Sequence, residues 1–239
     1  MSAELIERLV TANRILANED IIRGFGHVSV RVPDEDAMYI SRALSPAQVT
    51  RDDIIKMSFD GEILDRPDVR PYKETVIHRA VYRNRDGVDA VVHHHADPVV
   101  PFTISDVEIE PAFHNGALFH QGVPTFDKFD DKFGRLVVSE EEGERMAANL
   151  GDCRAQLIAG HGANVVDRSL KDAVISTVFF VKNAEYQYRA LQLDDEPNYY
   201  TGPDVSIESM INDIVQNDIG IDRKWNYLVS QLPDDTPTA

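Results

Sequence analysis

The run Val91-Val92-His93-His94-His95-Ala96 constrains this chain more than any other feature. It closes an apolar, strand-like segment that begins at Val88. In an extended chain side chains two residues apart share a face. His93 and His95 therefore project together from a strand end, as two imidazoles must to hold one divalent metal, while His94 points the other way. A surface histidine cluster is the plain alternative, but this run is internal and flanked by core residues. A fold that uses the pair must end a buried strand at a polar site and bring further ligands to it.

The rest of the sequence sets the frame for that site. At 239 residues, 43% hydrophobic and 27% charged, the chain has the length and composition of one large soluble domain. No apolar run approaches the roughly 20 residues that span a bilayer, and the start lacks a basic segment leading into an apolar signal core. The single cysteine, Cys153, excludes an intrachain disulfide and fits a reducing cytoplasm; it reads as a small core residue rather than a nucleophile. With 41 acidic against 24 basic residues the formal charge is -17, which excludes a nucleic-acid partner and demands local positive charge wherever an anion binds. All eight histidines lie between His27 and His161, so the chemistry is expected there, with a mostly helical scaffold after it.

Periodicity predicts an amphipathic helix over residues 3–17 and a strand over 27–32, where His27-Val28-Ser29-Val30-Arg31-Val32 alternates strictly. A second strand is expected at 37–40. The segments 55–59 and 62–64 flank Asp60-Gly61, a pair favoured in tight hairpins. A helix over 72–84 precedes the strand 90–95, with a further helix possible after Pro98. Ser139-Glu140-Glu141-Glu142 is a capping box opening a helix to about residue 150. Strands at 156–159 and 163–166 precede a long helix over 169–193 and two shorter ones near 207–215 and 222–231. Residues 1–232 read as one α/β domain with several antiparallel strand pairs, and 233–239 as a disordered tail.

A catalytic metal needs about three protein ligands and an open position. His161 is the best third candidate, since it ends an apolar strand and precedes Gly162, where the backbone can turn close to a neighbour. Taken alone it is as well explained as a packing or capping histidine. Glu74 opens the helix before the histidine strand, and His78 shares its helix face. A carboxylate there can serve as a fourth ligand or a general acid/base, although the helix dipole alone explains a first-turn glutamate.

Taken together, Gly24-Phe25-Gly26-His27-Val28-Ser29-Val30-Arg31, Glu74, Val92-His93-His94-His95-Ala96 and His161-Gly162 resemble the class II aldolase/adducin family over roughly residues 3–195. The resemblance implies a three-layer α/β/α fold with a mixed, mostly antiparallel central sheet. It implies a metal on His93, His95 and His161, with Glu74 as acid/base; His78, on the same helix face as Glu74, is a second candidate to handle the proton. Zinc, manganese, iron or cobalt all suit such ligands. Sites at the subunit interfaces of a homotetramer or larger assembly are implied as well.

Sugar-phosphate members of that family hold phosphate with compact hydroxyl-rich loops. Here those loops read Gly24-Phe25-Gly26-His27, Ser41-Arg42-Ala43 and Tyr72-Lys73 before Glu74. Phe25, His27, Arg42, Tyr72 and Lys73 suit a flat anion better, because arginine grips carboxylates bidentately and the aromatic side chains can line a ring. The Gly-His-Val-Ser-Val-Arg form of the first loop resembles the family's metal-dependent decarboxylases of hydroxylated aromatic dicarboxylates, such as 3,4-dihydroxyphthalate or a hydroxymethylpyridine dicarboxylate. The expectation is therefore a cytoplasmic carboxy-lyase of aromatic catabolism, with Arg42 and His27 on the second carboxylate. An aldolase or epimerase of a sugar phosphate or sugar acid, and a non-catalytic adducin-like module, are the alternatives. His114, Tyr199 and Tyr200 are reserve candidates for the proton transfer.

Overall fold

Alternation along the strands sorts the core into two layers, one on each face of a single sheet. In the computed structural model, which describes residues 2–130, 132–199, 206–215 and 219–233, seven strands are joined. They are β1 (His27–Arg31), β2 (Ala37–Ser41), β3 (Ile54–Ser58), β4 (Ala90–His94), β5 (Thr125–Phe126), β6 (Ala155–Ile158) and β7 (Gly162–Asp167). Their order is β3-β2-β1-β4-β7-β6-β5, antiparallel throughout except for the parallel β5–β6 pair.

Val28 and Val30 of β1, Ala90 and Val92 of β4, and Ala163 and Val165 of β7 face one core. That core is closed by α1 (Ser2–Asn18), α4 (Leu170–Leu191) and α6 (Ile219–Ser230), through residues such as Leu9, Val174 and Trp225. Val91, Ile158 and Val166 face the second core, closed by α2 (Thr75–Asn84) and α3 (Glu140–Leu150) through Val76, Ile77, Val81, Met146 and Leu150. Each fully buried aliphatic side chain contributes roughly 1.5–3 kcal/mol, so two full cores make a one-residue register slip in β4 prohibitive. The expected three-layer α/β/α fold with a mixed, mostly antiparallel sheet is what the chain adopts.

The differences are local. The helix expected from Tyr72 begins at Thr75, with Glu74 at its N-cap; Tyr72 lies before it, its hydroxyl donating to the Leu44 carbonyl at 2.7 Å. The second arm of the Asp60-Gly61 hairpin shrinks to one bridge, Met57 to Ile63, since the Asp65 carboxylate takes the Lys56 N–H at 3.0 Å. After Pro98 the chain makes only a 3₁₀ turn, Val100–Ile104. The short strand β5 has no signature in the sequence; two residues carry too little periodicity to be seen. The last helices, α5 (Ile207–Val215) and α6, occupy the expected region. The tail at 234–239 and Tyr200 lie outside the described residues.

Candidate metal centre and cleft

Register places the site. His27 of β1, His93 of β4 and Asn164 of β7 stand directly opposite one another across three adjacent strands, on the α2/α3 side of the sheet. His94, one residue on, turns to the other side, where its ring lies edge-on to Phe180 of α4 with centroids 6.0 Å apart. His95, just past the strand end, returns to the first side, its Nε2 3.1 Å from that of His93. His161 enters from the turn before β7 with its Nε2 2.8 Å from His95 Nε2. Gly162 makes that approach possible, because a Cβ there would meet the His95 ring at 2.7 Å. Gly26, at φ +113°, lets the first loop pass the His93 carbonyl, which a Cβ would approach to 2.9 Å.

The donor set can be read from the outer nitrogens. His93 Nδ1 donates to Asn164 Oδ1 at 2.8 Å, and His161 Nδ1 donates to the Arg135 carbonyl at 2.6 Å. His95 donates to the Phe25 carbonyl. A neutral imidazole has one N–H, so all three Nε2 lone pairs face one another across one small space. Three converging acceptors with no proton between them are repulsive unless a cation sits among them, and oxygen acceptors behind ligating histidines are the usual supporting shell of such a cation. His93, His95 and His161 thus fit a divalent metal. Burial holds His93 well below the usual imidazole range, and burial together with His161 holds His95 down to about 4, so both stay neutral.

Glu74 completes the cluster. Its side chain does not cap α2; one oxygen accepts the Val137 N–H at 3.1 Å and the other lies 3.7 Å from His161 Nε2. Burial raises its pKa, against the lowering effect of His161 and the Val137 N–H, a suitable poise for a proton carrier. The loop that supplies Val137 and Arg135 is organised by the fully buried Glu142 of α3. Its carboxylate accepts from the backbone N–H groups of Asp130, Val138 and Ser139. The capping box legible in the sequence thus serves the site as well as the helix.

A cleft of about 770 Å³ opens over this cluster. His27, Phe25, Tyr72, Lys73, Glu74, His95 and His161 line it, with Phe25 81% exposed at its mouth. Two expected residues stand elsewhere. Arg42 does not line the cleft; its guanidinium is spent on Asp53 at 2.7 Å, and Arg70 lines the cleft instead. His78 is fully buried behind His27, too deep to touch a ligand. Among the described residues no ion pair engages Arg70 or Lys73. Arg23, also in the wall, is paired with Asp20 and Asp97. His114 lines a different hollow, beside Phe179 and Tyr227. Cys153 is half-buried against the second core, and burial pushes its thiol up, away from nucleophilic use.

Sequence reasoning missed Asn164, Arg70, and the Arg135 and Val137 backbone groups. An asparagine inside the apolar strand Gly162-Ala163-Asn164-Val165-Val166 was a usable signal; the loop contacts had none. The family model for the class II aldolase and adducin N-terminal domain matches residues 7–188. The chain belongs to that family.

Among its class II aldolase relatives is a protein named decarboxylase tropJ from Talaromyces stipitatus. It is 28% identical over 214 residues, covering 83% of this chain and 80% of its own. A methylthioribulose-1-phosphate dehydratase from Pseudomonas savastanoi is 29% identical over 180 residues, 68% of this chain and 84% of its own. An aldolase II superfamily protein from Pseudomonas syringae superposes with a TM-score of 0.80 at 23% identity, over 95% of this chain and 91% of that one. An L-fuculose 1-phosphate aldolase from Glaciozyma antarctica does so at 0.81 and 19% identity, over 99% and 92%. Among the described residues no helix is long and apolar enough to cross a membrane.

Proposed function

We propose that this protein is a metal-dependent carboxy-lyase acting on a hydroxylated aromatic dicarboxylate, of which 3,4-dihydroxyphthalate is an example. The observation that carries the proposal is the composition of the cleft. The triad and Glu74 are joined by the cations Arg70 and Lys73 and the rings of Phe25 and Tyr72, where a phosphate would want a hydroxyl-rich cradle. In a chain of net charge -17, two cations with no ion pair among the described residues, beside a candidate metal cluster, suit a ligand with two separated acid groups. The decarboxylase named among the relatives supports the same chemistry.

A divalent cation on His93, His95 and His161 would polarise a ring hydroxyl and neutralise charge gathered on its oxygen as the carboxylate carbon departs. The protein supplies the rest. Asn164 and the Arg135 carbonyl hold the histidine rings in place. Glu74, buried beside His161, carries the proton needed at the ring carbon that loses its carboxylate. Arg70 and Lys73 receive the second carboxylate, which would be costly to desolvate without them. Tyr72, anchored through its hydroxyl to Leu44, stands as a fixed wall beside the ring.

Retention of the three ligands and Glu74 argues against a non-catalytic adducin-like module. Carbon dioxide release from a panel of ortho-hydroxy aromatic dicarboxylates, with fuculose 1-phosphate as control, tests the proposal. Release from a panel member without cleavage of the sugar phosphate is the expected result. Cleavage of the sugar phosphate with no carbon dioxide from any aromatic acid would restore an aldolase.

A further inference from the structure

Behind the cleft wall runs a buried polar chain that the chemistry above leaves unused. His27 Nδ1 lies 2.6 Å from His78 Nε2, His78 Nδ1 lies 2.7 Å from Ser29 Oγ, and Ser29 Oγ lies 2.7 Å from the Tyr82 hydroxyl. All four residues are buried, with His78 and Ser29 at 0% exposure. Each link holds one proton, so the direction of the whole chain depends on its inner end.

We infer that Tyr82, Ser29 and His78 lock His27 in the tautomer whose Nε2–H faces the cleft, making His27 a hydrogen-bond donor to a ligand oxygen and barring it from metal binding. The proton count decides the direction. The Tyr82 hydroxyl is fully buried and has Ser29 Oγ as its one hydrogen-bond partner among the described residues, so its own proton has no other acceptor. Ser29 therefore receives from Tyr82 and must donate to His78 Nδ1. His78 then carries its proton on Nε2 and donates it to His27 Nδ1. His27, with Nδ1 accepting, bears its proton on Nε2, the nitrogen left for the cleft it lines. Burial keeps His78 down to about 3 and so holds the middle ring of the chain neutral, as the count requires.

The consequence is selective. His27, Glu74 and His93 also bring ligand atoms within 4.8 Å of one another and so form a second candidate metal set. In the Nε2–H tautomer neither nitrogen of His27 has a lone pair to give, so that set is closed and the His93/His95/His161 set alone is open. His27 instead offers an N–H beside the metal position, a point of recognition for an oxygen of the ligand. His78 is a positioning residue acting through His27. The use of this donor on an aromatic acid rests on the function proposed above; the tautomer itself does not.

The test is two-bond 1H–15N correlation spectroscopy of the zinc-loaded protein labelled with 15N-histidine, the His27 signals being assigned by their loss in His27→Gln. A single Nε2–H pattern is expected for His27. Ser29→Ala should turn it into a mixture of both tautomers. Tyr82→Phe, which removes only a hydroxyl, should move it the same way and serves if Ser29→Ala does not fold. Zinc content should stay at the wild-type level in His27→Gln. An Nδ1–H pattern in the wild type, an unchanged single pattern in both chain variants, or loss of zinc from His27→Gln would overturn the inference. None of these readouts needs a substrate, so their failure is separable from failure of the decarboxylase proposal.

Discussion

The floor of the cleft and its rim are built on different principles. On the floor, His93, His95 and Asn164 stand on or beside paired strands, and each imidazole is fixed by an oxygen acceptor behind it. At the rim, Phe25, Arg70 and Lys73 come from loops and are exposed. Strand geometry dictates direction to the residue, whereas a loop sets direction only through whatever its side chains find to bind. Arg42 is the instructive case: its loop is at the site, but Asp53 claims its charge. The floor should therefore be intolerant and the rim gradual.

The widest separation concerns neighbouring histidines. His93→Ala, His95→Ala and His161→Ala should each lose bound metal and essentially all activity, and chelation of the wild type should do the same. His94→Ala should keep metal, because its ring packs under Phe180 on the far face. A metal-free His94 variant beside metal-bearing His93 and His95 variants would break the strand argument.

Next in size is Glu74→Gln. It should fold, bind metal and bind ligand, yet turn over at least about a hundredfold more slowly, the low end of a general acid/base contribution. Single-turnover measurement of carbon dioxide release checks this, and near-normal turnover would remove Glu74 from the proton transfer.

Asn164→Ala should lower metal affinity by roughly 10–100-fold, as loss of an outer hydrogen-bond partner does. Titration against a competing chelator reads it directly, and an unchanged affinity would mean that the ring of His93 is held by packing alone.

The smallest expected effect lies at the rim. Arg70→Ala should weaken binding of phthalate, a simple aromatic dicarboxylate, by about 1.5 kcal/mol, the lower end for a charge-assisted hydrogen bond because Arg70 is exposed. Benzoate, with no second acid group, should bind the variant and the wild type alike. Arg42→Ala should change either affinity much less. Calorimetric titration giving the reverse ranking of the two arginines would show that the Arg42–Asp53 pair opens to bind ligand.

Three parts of this protein were determined by its sequence alone. Alternation in β1 and β4 set which face each side chain takes, and that placed His93 with His95 and turned His94 away. Helical spacing and the capping box located α1 to α4 to within a few residues. The histidine and glycine motifs by themselves carry the resemblance to the family and to its candidate metal ligands. These are local properties, fixed by backbone period and residue type.

What tertiary structure alone decided is every choice among competing partners. Arg42 and Arg70 are equally cationic in the sequence, and only the position of Asp53 removes one from the cleft. His78 shares a helix face with Glu74, yet Glu74 sits at the helix end with its carboxylate beside His161 of the histidine cluster, and His78, one turn deeper, is sealed behind His27. The Arg135 and Val137 backbone groups reach the site only because buried Glu142 folds their loop over it. A hydrogen bond or ion pair depends on distances between segments far apart in the chain, and no period or motif encodes those distances.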